Sequence, residues 1–111
     1  MDIASLGPLA DELLAAAPDA HAGRSARTVY GGHGRTLGQT LIALGAGTSL
    51  SDHQNPGDAT VLVVRGRVRL TAGDQSWEGS PYDLLPVPDA VHGLEALEDS
   101  VVLLTVARRH S

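Results

Sequence analysis

From residue 27 onward the apolar positions recur with a period of two in short runs, and Gly, Asn, Asp and Pro break the runs at close spacing. Alternation of that kind marks half-buried strands, and many short strands punctuated by turn residues read as an all-β sandwich or barrel. The predicted strands are 27–31, 36–44, 49–53, 59–65, 67–71, 76–78, 83–87, 91–97 and 100–107, nine in all. The clearest is Arg67-Val68-Arg69-Leu70, whose two Arg point to water and whose two aliphatics point inward. Between the runs stand Gly45-Ala46-Gly47, Asn55-Pro56-Gly57-Asp58, Arg65-Gly66, Gly73-Asp74, Gly79-Ser80-Pro81 and Glu98-Asp99. Nine short strands fit a closed jelly roll better than an open sheet, because closure disposes of exposed edges.

Ahead of this pattern the period changes. Gly7 before Pro8 predicts the start of a short helix and Pro18 its stop, with Leu6, Leu9, Leu13 and Leu14 on one stripe and Asp11 and Glu12 on the other side. The expected organisation is a helix and a Pro, Ala, Gly and Ser linker over residues 1–26, followed by a barrel over 27–111. The helix is expected to pack on the barrel or on a partner subunit.

Composition then removes whole classes of chemistry. With 111 residues the chain has the size of one domain, and with no Cys it has no thiol nucleophile, iron-sulfur cluster, thiolate zinc site or disulfide. It has no Lys either, which excludes Schiff-base chemistry, and together with the absence of Phe and the abundance of Ala and Gly this suggests a GC-rich genome. Any metal must be held by His, carboxylates or amides. Thirteen acidic residues against eight basic ones, a net charge of -5, argue against nucleic acid or an anionic membrane as partner. No run approaches the ~18 consecutive apolar residues of a membrane span, and Asp2, Asp11 and Glu12 stand where a secretory leader would be basic. A cytoplasmic protein is expected.

The five His sort by position. His110 lies at the chain end, His21 in the linker and His33 in the turn Gly31-Gly32-His33-Gly34, all read as surface residues. His53 and His92 end or occupy strands. Five residues separate Gly47 from His53, Gly66 closes the run Thr60-Val61-Leu62-Val63-Val64, and Asp83-Leu84-Leu85-Pro86-Val87-Pro88 leads to His92. In the order and spacing of Gly47, His53, Gly66, Pro88 and His92 the stretch from about Thr36 to Val106 resembles the cupins. That resemblance implies a cupin-like jelly-roll barrel. It also implies a metal centre of three His and one Glu at the barrel mouth, from which this chain departs. Asn55 stands at the second His position, Ala59 or Thr60 at the Glu position, and Tyr82 at the Gly that opens the second motif.

Two imidazoles hold a first-row metal weakly. The candidate metal set is therefore His53, His92, Asn55 and Asp58, for Zn, Mn, Ni or Fe, beside the equal expectation of no metal. The candidate ligand pocket is His53, His92, Gln39 and Tyr82. Gln39 interrupts the apolar set Leu37, Leu41 and Ala43, so either it faces the cavity or its strand is flipped by one, and it is read here as pocket lining. Trp77 is read as core or interface packing. No Gly-x-Ser-x-Gly, phosphate-binding loop or His-Glu-x-x-His occurs. Three functions stay open: a non-enzymatic module that binds or senses a small organic molecule, a metal-dependent cupin enzyme of oxygenase, isomerase or cyclase type with a reduced ligand set, and a structural protein if aliphatics fill the barrel. The missing His and Glu favour the first, and the helix stripe and an exposed strand edge suggest a homodimer.

Overall fold

The computed structural model describes residues 3–17, 23–53 and 57–108. His21, Asn55, Pro18 and His110 lie outside the described residues.

Helix α1 (Leu6–Ala16) starts two residues before the predicted Gly7-Pro8 signal reaches its first helical position, with extended Ser5 as N-cap. Pro8 is thus the third helical residue. This is harmless, because the first-turn amides have no partner within the helix and the ring already supplies helical φ. Ala10 and Leu13 are buried, and Leu6, Leu9 and Leu14 pack against the same cluster. Asp11 and Glu12 face away and reach Arg65 at 3.5 Å and Arg27 at 3.3 Å. Such exposed pairs contribute under about 1 kcal/mol each, so apolar burial holds the helix down.

Among the described residues nine strands follow: β1 (Arg24–Gly31), β2 (Leu37–Leu44), β3 (Ser49–His53), β4 (Gly57–Arg65), β5 (Val68–Ala72), β6 (Gln75–Gly79), β7 (Leu84–Pro86), β8 (His92–Ala96) and β9 (Ser100–Arg108). β1 begins three residues earlier than its predicted span, and β7 is shorter than predicted. They form two antiparallel sheets, ordered β1-β2-β9-β4-β7 and β3-β8-β5-β6. This is the all-β jelly roll with one N-terminal helix that the period-two pattern predicts.

Two apolar cores share the five-stranded sheet. Between the sheets lie Ile42, Leu44, Val61, Val63 and Val102 against Val68, Leu70, Leu94 and Ala96. On the outer face Leu41, Ala43, Val64, Val101 and Leu103 pack against Ala10, Leu13 and Ala17 of the helix segment. β2 is therefore buried on both faces, and the helix stripe is covered by the chain's own sheet. As the alternation of the fifth strand predicts, Val68 and Leu70 point in, while Arg69 points out and bridges Glu78 at 3.5 Å and Glu95 at 3.4 Å. Among the described residues no helix is long and apolar enough to cross a membrane.

Candidate functional site at the barrel mouth

Strand β8 sets the centre of the site. Leu94 and Ala96 point into the barrel, so with period two His92 points in as well, and it is 5% exposed. Its Nδ1 lies 2.9 Å from the Ala90 carbonyl oxygen. A carbonyl only accepts, so Nδ1 carries the proton, and in the neutral ring Nε2 holds the lone pair, directed by the fixed ring. Across the ladder His53 of β3 is the register partner of His92. The backbone thus brings together the two residues that the spacing singled out.

Beneath His92 the barrel is nearly full. A cavity of about 20 Å³ remains among Ile42, Leu50, Val61, Leu70, Val87, Leu94, Val102 and Leu104, with His92 as its only polar side chain among the described residues. This is room for little more than one water. Above Leu104 the barrel opens into a cleft of about 280 Å³ lined by Thr28, Gly32, Gly38, Thr40, Leu104, Val106 and Arg108. Register explains the lining: Thr28 pairs with Thr40, Thr40 with Leu104 and Gly38 with Val106, all on the inner face. The cleft is deep where Gly38 stands, because a Cβ there would meet nothing within 4 Å. Arg108 ends the inward stripe Val102, Leu104, Val106. Arg27, Arg65, Arg67 and Arg69 each have a carboxylate partner, whereas among the described residues Arg108 has none, nor do Arg24 and Arg35.

Other candidates from the sequence stand elsewhere. Gln39 shares the outer, helix-side face of β2 with Leu41 and Ala43, and donates from Nε2 to Thr105 Oγ1 at 3.1 Å. The apolar set it interrupts faces the helix and not the cavity, so Gln39 does not line the pocket. Tyr82 is 75% exposed, precedes the edge strand β7, has φ of 73° and lines neither cavity. His33 lies exposed in the β1–β2 turn, as read from the sequence.

The metal set fares similarly. On β4 Val61 and Val63 point inward, so Ala59 does too, and of Ala59 and Thr60 it is Ala59 that faces the barrel. Asp58 then points outward with Thr60 and Leu62 and is exposed. Among the described residues no group of three or more His, Cys, Asp and Glu converges. The described donors do not make up the three-His, one-Glu centre that the resemblance implies.

Sequence reading missed Thr28, Gly38, Thr40 and Arg108. The predicted strand 100–107 stops one residue short of Arg108. The available signal was its place four residues after Leu104 on the same face of the strand.

No protein-family model matches the sequence, and no curated protein matches it. Solved structures do. A conserved protein of unknown function from Streptococcus pyogenes is 25% identical, with a TM-score of 0.72 over 83% of this chain and 80% of that one. A cupin superfamily protein from Desulfitobacterium hafniense is 21% identical, with a TM-score of 0.71 over 78% of each chain. KdgF from Halomonas sp. is 26% identical, with a TM-score of 0.67 over 78% of this chain and 82% of that one.

Proposed function

We propose, from the premise that this chain is a small cupin-domain protein, that it is a non-enzymatic module that binds a small organic acid at its barrel mouth. The observation that carries this reading is the cleft of about 280 Å³ on the inner face of β1, β2 and β9, with Arg108 among its lining residues. Leu104 and Val106 give the ligand an apolar floor, Thr28 and Thr40 offer hydroxyls, and Arg108 offers a fork of donors matched to a carboxylate. Since Leu104 also lines the cavity below, His92 stands under that floor as the next polar group. Few polar groups on a concave apolar wall are the usual make-up of a small-molecule site. Although the chain carries a net charge of -5, Arg108 in the cleft lining gives an anion a local counter-charge. The free edge of β1 supports a homodimer, to be read from the solution mass.

The test is a panel of small carboxylic acids scored by melting temperature and calorimetry on wild type, Gly38→Val and Arg108→Gln. At a hundredfold excess over Kd a bound acid stabilises the folded state by about 2.7 kcal/mol. Gly38→Val fills the cleft at a β-strand position without positive φ, so it is expected to fold and to lose binding. Arg108→Gln is expected to weaken carboxylates and spare their amides. If no acid binds, or if Gly38→Val binds as well as wild type, the reading fails. A parallel arm measures metal content and melting with Zn, Mn, Ni and Fe(II). A metal-induced rise that is lost in His53→Ala with His92→Ala supports the metal-dependent enzyme instead.

A further inference from the structure

A jelly roll of two sheets has lateral seams. One runs here between β6, the last strand of the four-stranded sheet, and β7, the last strand of the five-stranded sheet. The two edges do not pair with each other. β7 is too short to close the gap: Tyr82 turns the chain just before it, and Pro86 and Pro88 have no amide to donate. Between the edges lies a cleft of about 270 Å³ walled by Leu70, Trp77, Leu85 and Pro86. Leu70, 1% exposed, is its deepest wall and also borders the cavity under His92. Trp77 is the register partner of Leu70 and so leans over the inner face, yet 40% of it stays exposed.

We propose that this seam is a second binding site, for a small planar aromatic molecule that lies against the Trp77 indole. It shares no lining residue with the mouth cleft, so it is distinct from the organic-acid site. Size selects the class of occupant. An apolar cavity of about 150 Å³ takes one benzene ring, and pockets for larger organic ligands start near 300 Å³. A protein partner needs about 800 Å² on each side, which four side chains in a slot do not supply. The walls are apolar, and the indole N–H has no hydrogen-bond partner among the described residues, so it is a donor for an acceptor on the ring. An aromatic guest also matches the ring quadrupole of Trp77, which an aliphatic guest of equal size does not.

Trp77 is the sole Trp of the chain, so its emission reads this site directly. The experiment titrates phenol, and cyclohexanol as the non-planar control, while methyl resonances are followed by NMR. Expected are a saturable change in Trp77 emission with phenol, binding of cyclohexanol weaker by about fivefold, the order of what ring pairing adds beyond burial, and shifts at Leu70 and Leu85 but not at Leu104 or Val106. Trp77→Leu, at a half-exposed edge position, is expected to fold and to lose the phenol-induced methyl shifts at the same concentration. Linear quenching, equal affinity for the two probes, shifts centred on Leu104, or undiminished binding in Trp77→Leu each overturn the proposal. So does an emission change produced by protein concentration alone, which would put a second copy in the seam.

Discussion

Replacing Gly66 by Ala tests how the turn between β4 and β5 is locked. Gly66 has φ of +79°, and a Cβ there would overlap the Asp99 carbonyl oxygen and Ser100 Oγ and lie 2.8 Å from Ser100 Cα. Neither backbone atom can swing away. Ser100 is fully buried, and its Oγ accepts the Arg67 N–H at 3.1 Å and lies 2.7 Å from the Glu98 carbonyl to which it donates. The left-handed backbone costs a side chain about 1 kcal/mol or more. Overlap in a packed site adds about 1–3 kcal/mol, and loss of the partly buried Arg67 amide bond about 1 kcal/mol or more. Since the last two overlap, Gly66→Ala is expected to lose about 3–6 kcal/mol of the 5–15 that such a domain has. The control is Gly34→Ala, where φ is +81° and nothing lies within 4 Å of the added Cβ. It carries only the backbone cost, about 1 kcal/mol. Urea unfolding of both variants separates the contributions, and thermal melting repeats the reading at about 4–8 °C per kcal/mol. Equal losses in the two variants would falsify the argument from overlap.

Leu13→Ala is expected to cost about 2–5 kcal/mol by urea unfolding, because Leu13 is 4% exposed in the core under α1. By contrast Asp11→Asn, which breaks the exposed 3.5 Å contact to Arg65, is expected to cost less than about 1 kcal/mol. Ser100→Ala leaves the Arg67 N–H without its acceptor and is expected to lose about 1–3 kcal/mol, with binding at the mouth unchanged. Tyr82→Gly relieves a positive φ on a residue 75% exposed, so its melting temperature is expected to hold or rise and its affinity for mouth ligands to stay the same. A loss of mouth binding in Tyr82→Gly returns that residue to the pocket.

Much of the fold was legible because burial follows period two. The nine predicted strands occur in order, with ends shifted by up to three residues where turns and prolines decide. His53 and His92 fall opposite one another after a register shift between Leu50 and His53. Gln39 was misplaced for a reason that no local pattern carries. Leu41 and Ala43 look like one inner face, but α1 covers the outside of β2, so both parities are apolar and only the packing of a distant segment tells them apart. Asp58 was offered as a ligand by its nearness to the Glu position, and a shift of one residue along a strand reverses the face. The mouth cleft was invisible because it is made by what Gly38 lacks.

The cover that α1 gives the five-stranded sheet ends partway along it. Leu41, Ala43, Val101 and Leu103 lie under the helix, while Gln39 and Thr105, the next residues on that face, are only partly buried. The strand segments that carry Gly38, Val106 and Arg108 therefore extend past both cores. Amide exchange should rank accordingly, slowest at Leu41–Leu44 and Val101–Leu103 and fastest toward the mouth, because protection follows buried contacts. The closed end of the barrel anchors the fold, and the open end can change shape around a guest without unfolding the rest.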